Sequence, residues 1–454
     1  MSATASAGRL RPRARSLATC LAEFLTPAVW KQAHRARSAG RARGALRAPR
    51  WQVQPLVLVL LLLTWCTGDS QAECFETARA TCAVCRGQRR RPGKTLAGFH
   101  NALAKLPLAV LRAGAAGVRR RLAALLDLVD GGFVVLGCDS SLLEGPRTAE
   151  LEARLGDRGK EHSAPGLWVT ALVHLRTGVL WAWRLGRSTA SEREHLRCLL
   201  STLPAAALVV ADAGFTGYEL AQAIRQAGAS LLIRVTAKDS FYLDAPADRH
   251  RWTEGLVYAW PQVARDAHRP PLRLRLIRVR SRKRKHDVWL LTDVLDPARL
   301  PADVAGRYYR WRWENEGLFR TYKRTLKKVK LTARTVRLVH REAEGALLAT
   351  QLLLAQGARA LPRRQSRVAP RRCSPRQVLR AIRQELQAAA GGRRRRAFSR
   401  RRARARRERR RRTSAKERRP WPRRVPHKAP KPPQLLVLSE PQKALQAKLK
   451  RTAG

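Results

Sequence analysis

Three short apolar runs, separated by turns and helical patterns, constrain the fold of this chain most strongly. They lie at 133–138, 205–211 and 230–235. A nearly continuous apolar run of this length indicates a strand that is buried on both faces of a sheet. A helical pattern at 217–226 separates the second run from the third. This order predicts a mixed α/β sheet with helices on both faces.

Other patterns extend this sheet. The runs at 167–174 and 179–186 flank Thr177-Gly178 and predict a hairpin. The stretch at about 237–293 is rich in strand and loop signals and predicts a β-rich insertion. Two long helices are predicted after it, near 302–330 and 338–360.

The charge of the chain restricts its partners. It has 93 Lys and Arg against 33 Asp and Glu, a formal net charge of +60. This excess does not suit an enzyme of small metabolites and favours a polyanion, above all nucleic acid. Charge alone does not identify the function, because a GC-rich genome also produces Arg-rich proteins.

Basic segments flank the apolar patterns. Residues 1–50 hold eleven Lys or Arg and one acid, and predict a flexible basic arm. Residues 51–130 carry apolar residues at helical spacing and predict an all-helical domain. Residues 362–454 predict an Arg-rich disordered tail, interrupted by one amphipathic helix at 374–389.

The most apolar stretch, at 55–66, predicts a buried helix. Its twelve residues fall short of the roughly 20 that span a bilayer. An Arg-rich leader of 50 residues is also too long for a signal peptide. Eight scattered Cys are typical of a reduced, cytoplasmic protein. We therefore expect a cytoplasmic, nucleoid-associated protein without membrane contact.

Two acids follow buried runs of the predicted sheet. Asp139 ends the first run and Asp212 ends the second. Ligands of open α/β sheets bind outside the carboxyl ends of the strands, where a rigid element holds such a residue in a crevice. Each acid alone is also consistent with a residue that caps a turn.

A third group of polar residues lies on the predicted helix near 302–330. At about 100° per residue, Tyr309, Arg312, Glu316 and Lys323 fall within an arc of about 60°. This arc borders the apolar stripe, whereas a solvated charged face normally lies opposite the core. The arrangement predicts the rim of a cleft.

Three carboxylates are the ligand set that a two-metal phosphoryl-transfer site needs. Mg²⁺ prefers oxygen ligands. Two such ions stabilise the attacking and leaving oxygens of an in-line displacement. Cations beside them would hold the phosphates of the strand that is cut.

The spacing Tyr309-x2-Arg312-x3-Glu316-x6-Lys323 resembles the Tyr-Arg-Glu-Lys signature of DDE transposases of the insertion-sequence-four type. Its surroundings, RYYRWRWENEGLFRTYK, resemble that family's third motif. VVADAGFTGYEL resembles the second motif and LGCDSS the first, with Ser140 at a place where the family commonly has Gly. The resemblance covers roughly 130–350.

The resemblance implies an RNase H-like catalytic domain at 131–361, with the β-strand insertion at about 237–293. It implies that Asp139, Asp212 and Glu316 are catalytic and bind two Mg²⁺, for which Mn²⁺ can substitute. It makes the helical domain at 51–130 the natural candidate for recognising the ends of a bacterial insertion sequence. Double-stranded DNA is then the partner, with no small-molecule substrate, and a homodimer would hold two ends together.

The implied reaction is cut-and-paste transposition. Water nicks one strand, the freed 3′ hydroxyl attacks the opposite strand to form a hairpin, and the reopened end is joined to target DNA. Tyr309, Arg312 and Lys323 would hold the terminal phosphates around a flipped base. A Trp of the insertion would assist, with Trp252, Trp260 and Trp289 as equal candidates.

Two other functions stay open from the sequence. One is a catalytically inactive or domesticated DNA-binding remnant, because basic flanks bind any nucleic acid. The other is an RNase H-like nuclease without strand transfer, because cutting and joining use the same metal site.

Overall fold

The computed structural model describes residues 15–39, 51–156, 164–248, 250–280, 287–360, 373–392, 398–405 and 431–452. The described helices are α1 Leu17–Ala22, α2 Pro27–Ser38, α3 Val53–Trp65, α4 Gln71–Cys85, α5 Leu96–Ala104, α6 Leu108–Leu125, α7 Ala149–Leu155, α8 Glu192–Leu199, α9 Tyr218–Gln226, α10 Gln262–Asp266, α11 Ala302–Trp311, α12 Glu314–Arg320, α13 Val336–Ala360, α14 Pro375–Ala390, α15 Phe398–Ala403 and α16 Glu440–Thr452. The described strands are β1 Val129–Asp130, β2 Phe133–Glu144, β3 Gly166–His174, β4 Val179–Arg187, β5 Ala207–Ala211, β6 Ser230–Val235, β7 Ser240–Leu243, β8 Glu254–Ala259, β9 Leu272–Val279, β10 Val288–Thr292 and β11 Gln434–Val437.

The chain divides into two compact units. The first comprises Met1–Leu125, Arg341–Arg363 and Arg372–Arg407. The second comprises Leu126–His340, Arg364–Arg371 and Glu408–Gly454.

The first unit is helical, and α3 lies in its core. Eleven of the thirteen residues of α3 are buried, which makes it an internal helix. Trp51, Phe75 and Phe99 pack next to one another, with Trp51 and Phe99 ring centroids 5.5 Å apart. Within the described part of the chain, no helix is both long and apolar enough to cross a membrane.

The segment 1–50 differs from the flexible arm that its composition predicts. It contains α1 and α2, which bury apolar side chains such as Leu21 and Val29. Ser16 caps α1 by accepting a hydrogen bond from the Thr19 N–H. The free energy gained by burying these apolar side chains stabilises the two helices, although the composition of the segment is basic. Residues 1–14 and 40–50 lie outside the described residues.

The segment 362–454 also differs in part from the predicted disordered tail. Its amphipathic helix is present as α14, which buries Leu379, Ile382 and other apolar residues. In addition, β11 pairs in parallel with β7, and α16 follows it. The Arg-rich stretches 361–372, 393–397 and 406–430 lie outside the described residues.

The second unit is built on one mixed sheet. Its strand order is β11-β7-β8-β9-β10-β6-β5-β2-β3-β4, and β1 pairs with β2. The strands β2, β5 and β6 are parallel, whereas β2–β3–β4 is an antiparallel meander. The strands β7 to β10 lie between Asp212 and Glu316 in the chain and continue the same sheet through the antiparallel pair β6–β10.

Helices cover both faces of this sheet, because its central strands are apolar on both sides. Leu136 and Val209 pack in a core that includes residues of α8 and α9. Val135 and Val210 face a second core that includes residues of α11. This arrangement agrees with the α/β fold that the apolar runs predict.

The helix predicted near 302–330 is interrupted. Between α11 and α12, Arg312 N–H bonds the Tyr309 carbonyl at 3.2 Å, and Asn315 N–H bonds the Arg312 carbonyl at 3.0 Å. These bonds span three residues and tighten the helix locally. A π-helical turn at Thr321–Thr325 then widens it. The constant 100° per residue of the sequence prediction therefore does not hold here.

Candidate active site

Asp139 and Asp212 are neighbours across two parallel strands. The register pairs Gly137 of β2 with Val210 of β5. Asp139 and Asp212 each come two residues later and therefore lie at the same level. Asp139 lies within β2 and not at its end, since β2 continues to Glu144 beside β3. The strand β5 does end there, and Asp212 accepts a hydrogen bond from the Gly214 N–H at 3.0 Å.

The Asp139 carboxylate has one hydrogen-bond donor and one cation beside it. It accepts a hydrogen bond from the Ser140 N–H at 2.9 Å. Arg312 Nη1 lies 3.8 Å from its Oδ2, and the exposed fractions of the two side chains are 14% and 23% for Arg312 and Asp139. The pair is therefore largely withdrawn from solvent, which strengthens its attraction.

The pKa of Asp139 is raised above its ordinary value. Burial is the main cause, and the charges of Asp212 and Glu316 act in the same direction. The Ser140 N–H and Arg312 oppose this rise. The three acids named from the sequence are thus close enough for their charges to interact.

Glu316 reaches this site from α12. It lies in the first turn of that helix and is exposed. Its neighbour Asn315 is fully buried, and its amide atoms lie where a side chain on Gly137 of β2 would be. The absence of a side chain at Gly137 therefore lets α12 approach the strand that carries Asp139.

Tyr309 has a position different from the one that the helical wheel predicts. It is 6% exposed and belongs to the core between α11 and the sheet. The Arg312 guanidinium lies 5.6 Å from the centroid of its ring. Tyr309 thus supports Arg312 from the interior and is not displayed at a rim.

Lys323 lies in the π-helical turn. Its Nζ donates a hydrogen bond to Ser141 Oγ at 2.7 Å, two residues along β2 from Asp139. Burial lowers the pKa of Lys323, and the charge of Glu144 partly offsets this. The structure therefore brings Arg312 and Lys323 to the part of β2 that carries Asp139.

One exposed aromatic residue beside the acids was not selected from the sequence. Trp313 joins α11 to α12, is 50% exposed, and has the Arg312 guanidinium 5.8 Å from its ring centroid. On a helical wheel drawn from the sequence, Trp313 falls outside the apolar stripe of this segment. That position was the sequence signal that could have identified it as an aromatic residue at the surface.

The three Trp residues considered from the sequence have internal partners. Trp260 donates to the Arg269 carbonyl at 2.7 Å, and Trp252 donates to the Leu276 carbonyl at 3.2 Å. Trp289 is buried, with Arg278 over its ring. Their contacts contribute to the packing around β8, β9 and β10.

The donor chemistry of the acids fits a hard divalent cation, because all three supply carboxylate oxygens. Among the described residues, however, no three His, Cys, Asp or Glu side chains are grouped closely enough to hold a metal ion. Of the three, Glu316 is exposed to solvent.

Residues 131–352, just under half of the chain, match the family model described as transposase DDE domain. A search of curated proteins found no match. A comparison of structures found a cryo-EM structure of the piggyBac transposase synaptic complex with hairpin DNA. It is 13% identical, with a TM-score of 0.41, and the match covers 86% of this chain and 84% of that chain. DDE transposases generally use divalent metal ions. Residues 131–352 are therefore similar to a transposase DDE domain.

Proposed function

We propose that this protein is an active DNA transposase of the insertion-sequence-four type, which cuts the ends of a mobile element and joins them to target DNA. One observation carries the proposal. Asp139 of β2, Asp212 directly after β5 and Glu316 of α12 all lie in the segment that matches the DDE domain, and the charges of Asp212 and Glu316 act on Asp139.

The three acids would hold two Mg²⁺ ions, with Mn²⁺ as a substitute. When bound, such ions would stabilise the attacking and leaving oxygens of the displacement. Asp139 lies within β2 and Asp212 directly follows β5, whereas Glu316 is supplied by α12. Two fixed carboxylates and one exposed carboxylate suit a site in which the exposed ligand would bind the cation last.

Arg312 and Lys323 would bind the DNA phosphates beside the cut. Both are partly buried next to β2, and a buried cation binds a phosphate more strongly than a solvated one. The guanidinium of Arg312 offers a planar pair of donors that suits a phosphate. Tyr309 would act indirectly, because its ring supports Arg312 from the core.

The helical region at 51–130 would recognise the ends of the element. Its exposed cations include Arg89 and Arg90, in the loop after α4. Arg120 and Arg121 of α6 make hydrogen bonds to Gln32 and to the Glu23 carbonyl. We therefore assign the first contacts with DNA to the loop after α4.

The sheet of the second unit supports an RNase H-like catalytic domain. An antiparallel meander, β2–β3–β4, is followed by two strands parallel to β2. The strands β7 to β10 would be the insertion. A homodimer on DNA is proposed because both ends of an element must be held for joining.

A transposition assay with the full-length protein tests this function. The substrate is a plasmid that carries the native gene with its flanking DNA. In Mg²⁺ we expect nicks at the element boundaries, hairpin ends, and insertion into a second plasmid. Nicks without hairpins or insertion would instead indicate a nuclease. DNA binding without any cut would indicate an inactive remnant.

A further inference from the structure

Three exposed cations follow the π-helical turn and have no role in the proposed catalytic site. They are Lys327, Lys330 and Arg334, and we call them the basic ridge. Within the described part of the chain, their side chains form no ion pair and no hydrogen bond. Lys328 lies between the first two but is half-buried, so it is not counted in the ridge.

The segment that carries Lys327 and Lys330 projects into solvent between two buried leucines. Leu326 is 4% exposed and Leu331 is 3% exposed, whereas Val329 between them is 51% exposed. Because both ends of this short segment are packed into the fold, its cations keep defined positions at the surface. A cationic surface that is ordered before binding loses less conformational entropy when a partner binds.

The backbone of Lys327 has a conformation that favours glycine. Its φ is 57°, in the left-handed region. A side chain in this region costs free energy that glycine would avoid. The presence of lysine here therefore points to a function of its side chain and not to a requirement of folding.

The ridge is fixed to the end of β2. Leu331 N–H donates a hydrogen bond to the Glu144 carbonyl at 2.7 Å, and Lys330 forms a parallel bridge with Glu144. The Arg334 carbonyl accepts a hydrogen bond from Thr148 Oγ1 at 3.2 Å. Glu144 is the last residue of β2, so the backbone of the ridge continues from the strand that carries the first catalytic acid.

Cations therefore follow β2 in one direction from Asp139. Arg312 lies beside Asp139 itself. Lys323 is bonded two residues further along the strand, and Lys330 lies five residues further. At about 3.3 Å per residue, the backbone at Lys330 is about 17 Å along β2 from Asp139. DNA rises about 3.4 Å per base pair, so a duplex that follows β2 would reach the ridge about five base pairs from the cut.

The acids near the ridge leave its charge available. The Glu150 carboxylate accepts a hydrogen bond from the Val336 N–H at 3.0 Å. The charge of Glu144 acts on Lys323. In the described part of the chain, neither acid forms an ion pair with a ridge cation. Lys and Arg side chains in this state are the usual ligands of DNA phosphates.

We propose that the basic ridge binds the phosphate backbone of the duplex that is cut, about five base pairs from the scissile phosphate. The proposal rests on the proposed transposase function and adds to it a DNA contact outside the acids. The alignment of the ridge with Arg312 and Lys323 along one strand favours the duplex that is cut over target DNA. Phosphate contacts at this distance would fix the register of the duplex and carry no sequence information.

The salt dependence of DNA binding tests the ridge. The full-length protein is titrated without Mg²⁺ against a fluorescent duplex that spans the element boundary, over a series of salt concentrations. The double variant Lys330→Gln, Arg334→Gln should lower the slope of log affinity against log salt by about 2, because each lost phosphate contact removes about 0.9.

A double variant of equal charge is the control. Lys238→Gln, Arg273→Gln removes two exposed cations of the same unit, on the β6–β7 turn and on β9. It should leave the slope unchanged, and thermal unfolding checks that both double variants fold. An unchanged slope in the ridge variant, or an equal fall in the control, would overturn the ridge whether or not the protein cuts DNA.

Lys327→Gly separates DNA binding from stability. Glycine relieves the left-handed backbone, so this variant should unfold at the same temperature as wild type or at a higher one. The salt slope should nevertheless fall by about 1. A lower unfolding temperature with an unchanged slope would show that the lysine serves the fold alone.

Neutral methylphosphonates at single positions of the duplex locate the contact. Wild type should lose affinity when the neutral group lies about five base pairs from the nick, and Lys330→Gln should be insensitive to it there. Sensitivity confined to a separate target duplex would overturn the assignment to the duplex that is cut. Persistent nicking in Asp139→Asn would instead overturn the proposed function, and the salt slopes of the ridge variants would not change with it.

Discussion

Arg312 Nη1 lies 3.8 Å from Asp139 Oδ2, in a pair that is largely withdrawn from solvent. The Tyr309 ring supports the guanidinium on one side and Trp313 approaches it on another. Arg312 thus compensates the charge of one acid before any cation binds. In the proposed reaction it would turn from that acid to a DNA phosphate.

Removal of Arg312 should shift the pH dependence of cutting. Arg312 lowers the pKa of Asp139, which burial raises. In Arg312→Gln that pKa rises further, so more of the carboxyl is protonated at a given acidic pH. We expect the acidic limb of the nicking rate to move to higher pH, measured in a pH series at saturating Mg²⁺. A limb that stays in place or moves to lower pH would contradict the pairing.

Lys323 should affect hairpin formation more than bulk DNA binding. Its Nζ is fixed by Ser141 next to Asp139, so it can bind only phosphates close to the cut. Loss of a charge-assisted hydrogen bond costs roughly 1.5–3 kcal/mol. We expect Lys323→Ala to slow hairpin formation roughly 10-fold or more and to leave the affinity for the DNA end nearly unchanged.

Lys328→Ala is the control for that variant, because Lys328 is also a lysine close to Lys323 in the chain but lies beyond the π-helical turn. A similar loss of hairpin formation in both variants would show that the position of Lys323 has no special role.

Trp313 should stack on a nucleobase near the cut, because it is the exposed aromatic residue beside the acids. Base stacking on an aromatic side chain contributes about 1–3 kcal/mol per base. A 2-aminopurine at the element boundary should lose fluorescence on binding to wild type and to Trp313→Phe, and retain it with Trp313→Ala. Equal quenching by the Ala variant would exclude this role.

Tyr309 should act mainly through stability. Its ring is buried between α11 and the sheet, so Tyr309→Ala should lower the free energy of unfolding by about 3–5 kcal/mol. Tyr309→Phe keeps the ring and should cost less than about 1.5 kcal/mol. Chemical denaturation followed by fluorescence measures both. A fully stable Tyr309→Ala that cuts poorly would instead favour direct contact with DNA.

Acid should weaken the second unit through His174. Burial lowers the pKa of this imidazole to about 4, from 6.5 in the unfolded chain. The unfolded chain then binds more protons between these values, so the contribution is complete above pH 6.5 and is lost as the pH falls towards 4. The loss should be about 3 kcal/mol. His174→Gln should reduce this pH dependence in thermal unfolding, whereas the exposed His250→Gln should not.

The sequence predicts the sheet well because burial leaves a direct trace in it. The runs that form β2, β5 and β6 are apolar on both faces, and Gly178 marks the β3–β4 turn with its positive φ of 70°. The helices α1 and α2 were missed because Arg, Ala and Gly dominate the composition there, whereas only a few apolar residues decide the burial. The strand β11 was missed because its pairing with β7 joins segments that are far apart in the chain.

In the candidate site, too, some features follow from the local sequence and others depend on the fold. The spacing of Arg312, Glu316 and Lys323 identified side chains that the fold brings towards Asp139. It misplaced Tyr309, because a local tightening before α12 and a π-helical turn after it change the rotation per residue.

The measurement that tests the central claim most directly compares three acid variants in one cleavage assay. Asp139→Asn, Asp212→Asn and Glu316→Gln are assayed for Mg²⁺-dependent nicking of the native flanking DNA, with Glu194→Gln as the exposed control. DNA binding and thermal unfolding are measured on the same samples. We predict that each of the three abolishes nicking, that all bind DNA as wild type does, and that the control cuts normally. Nicking that persists in any of the three folded acid variants would contradict the assignment of these carboxylates as the catalytic site.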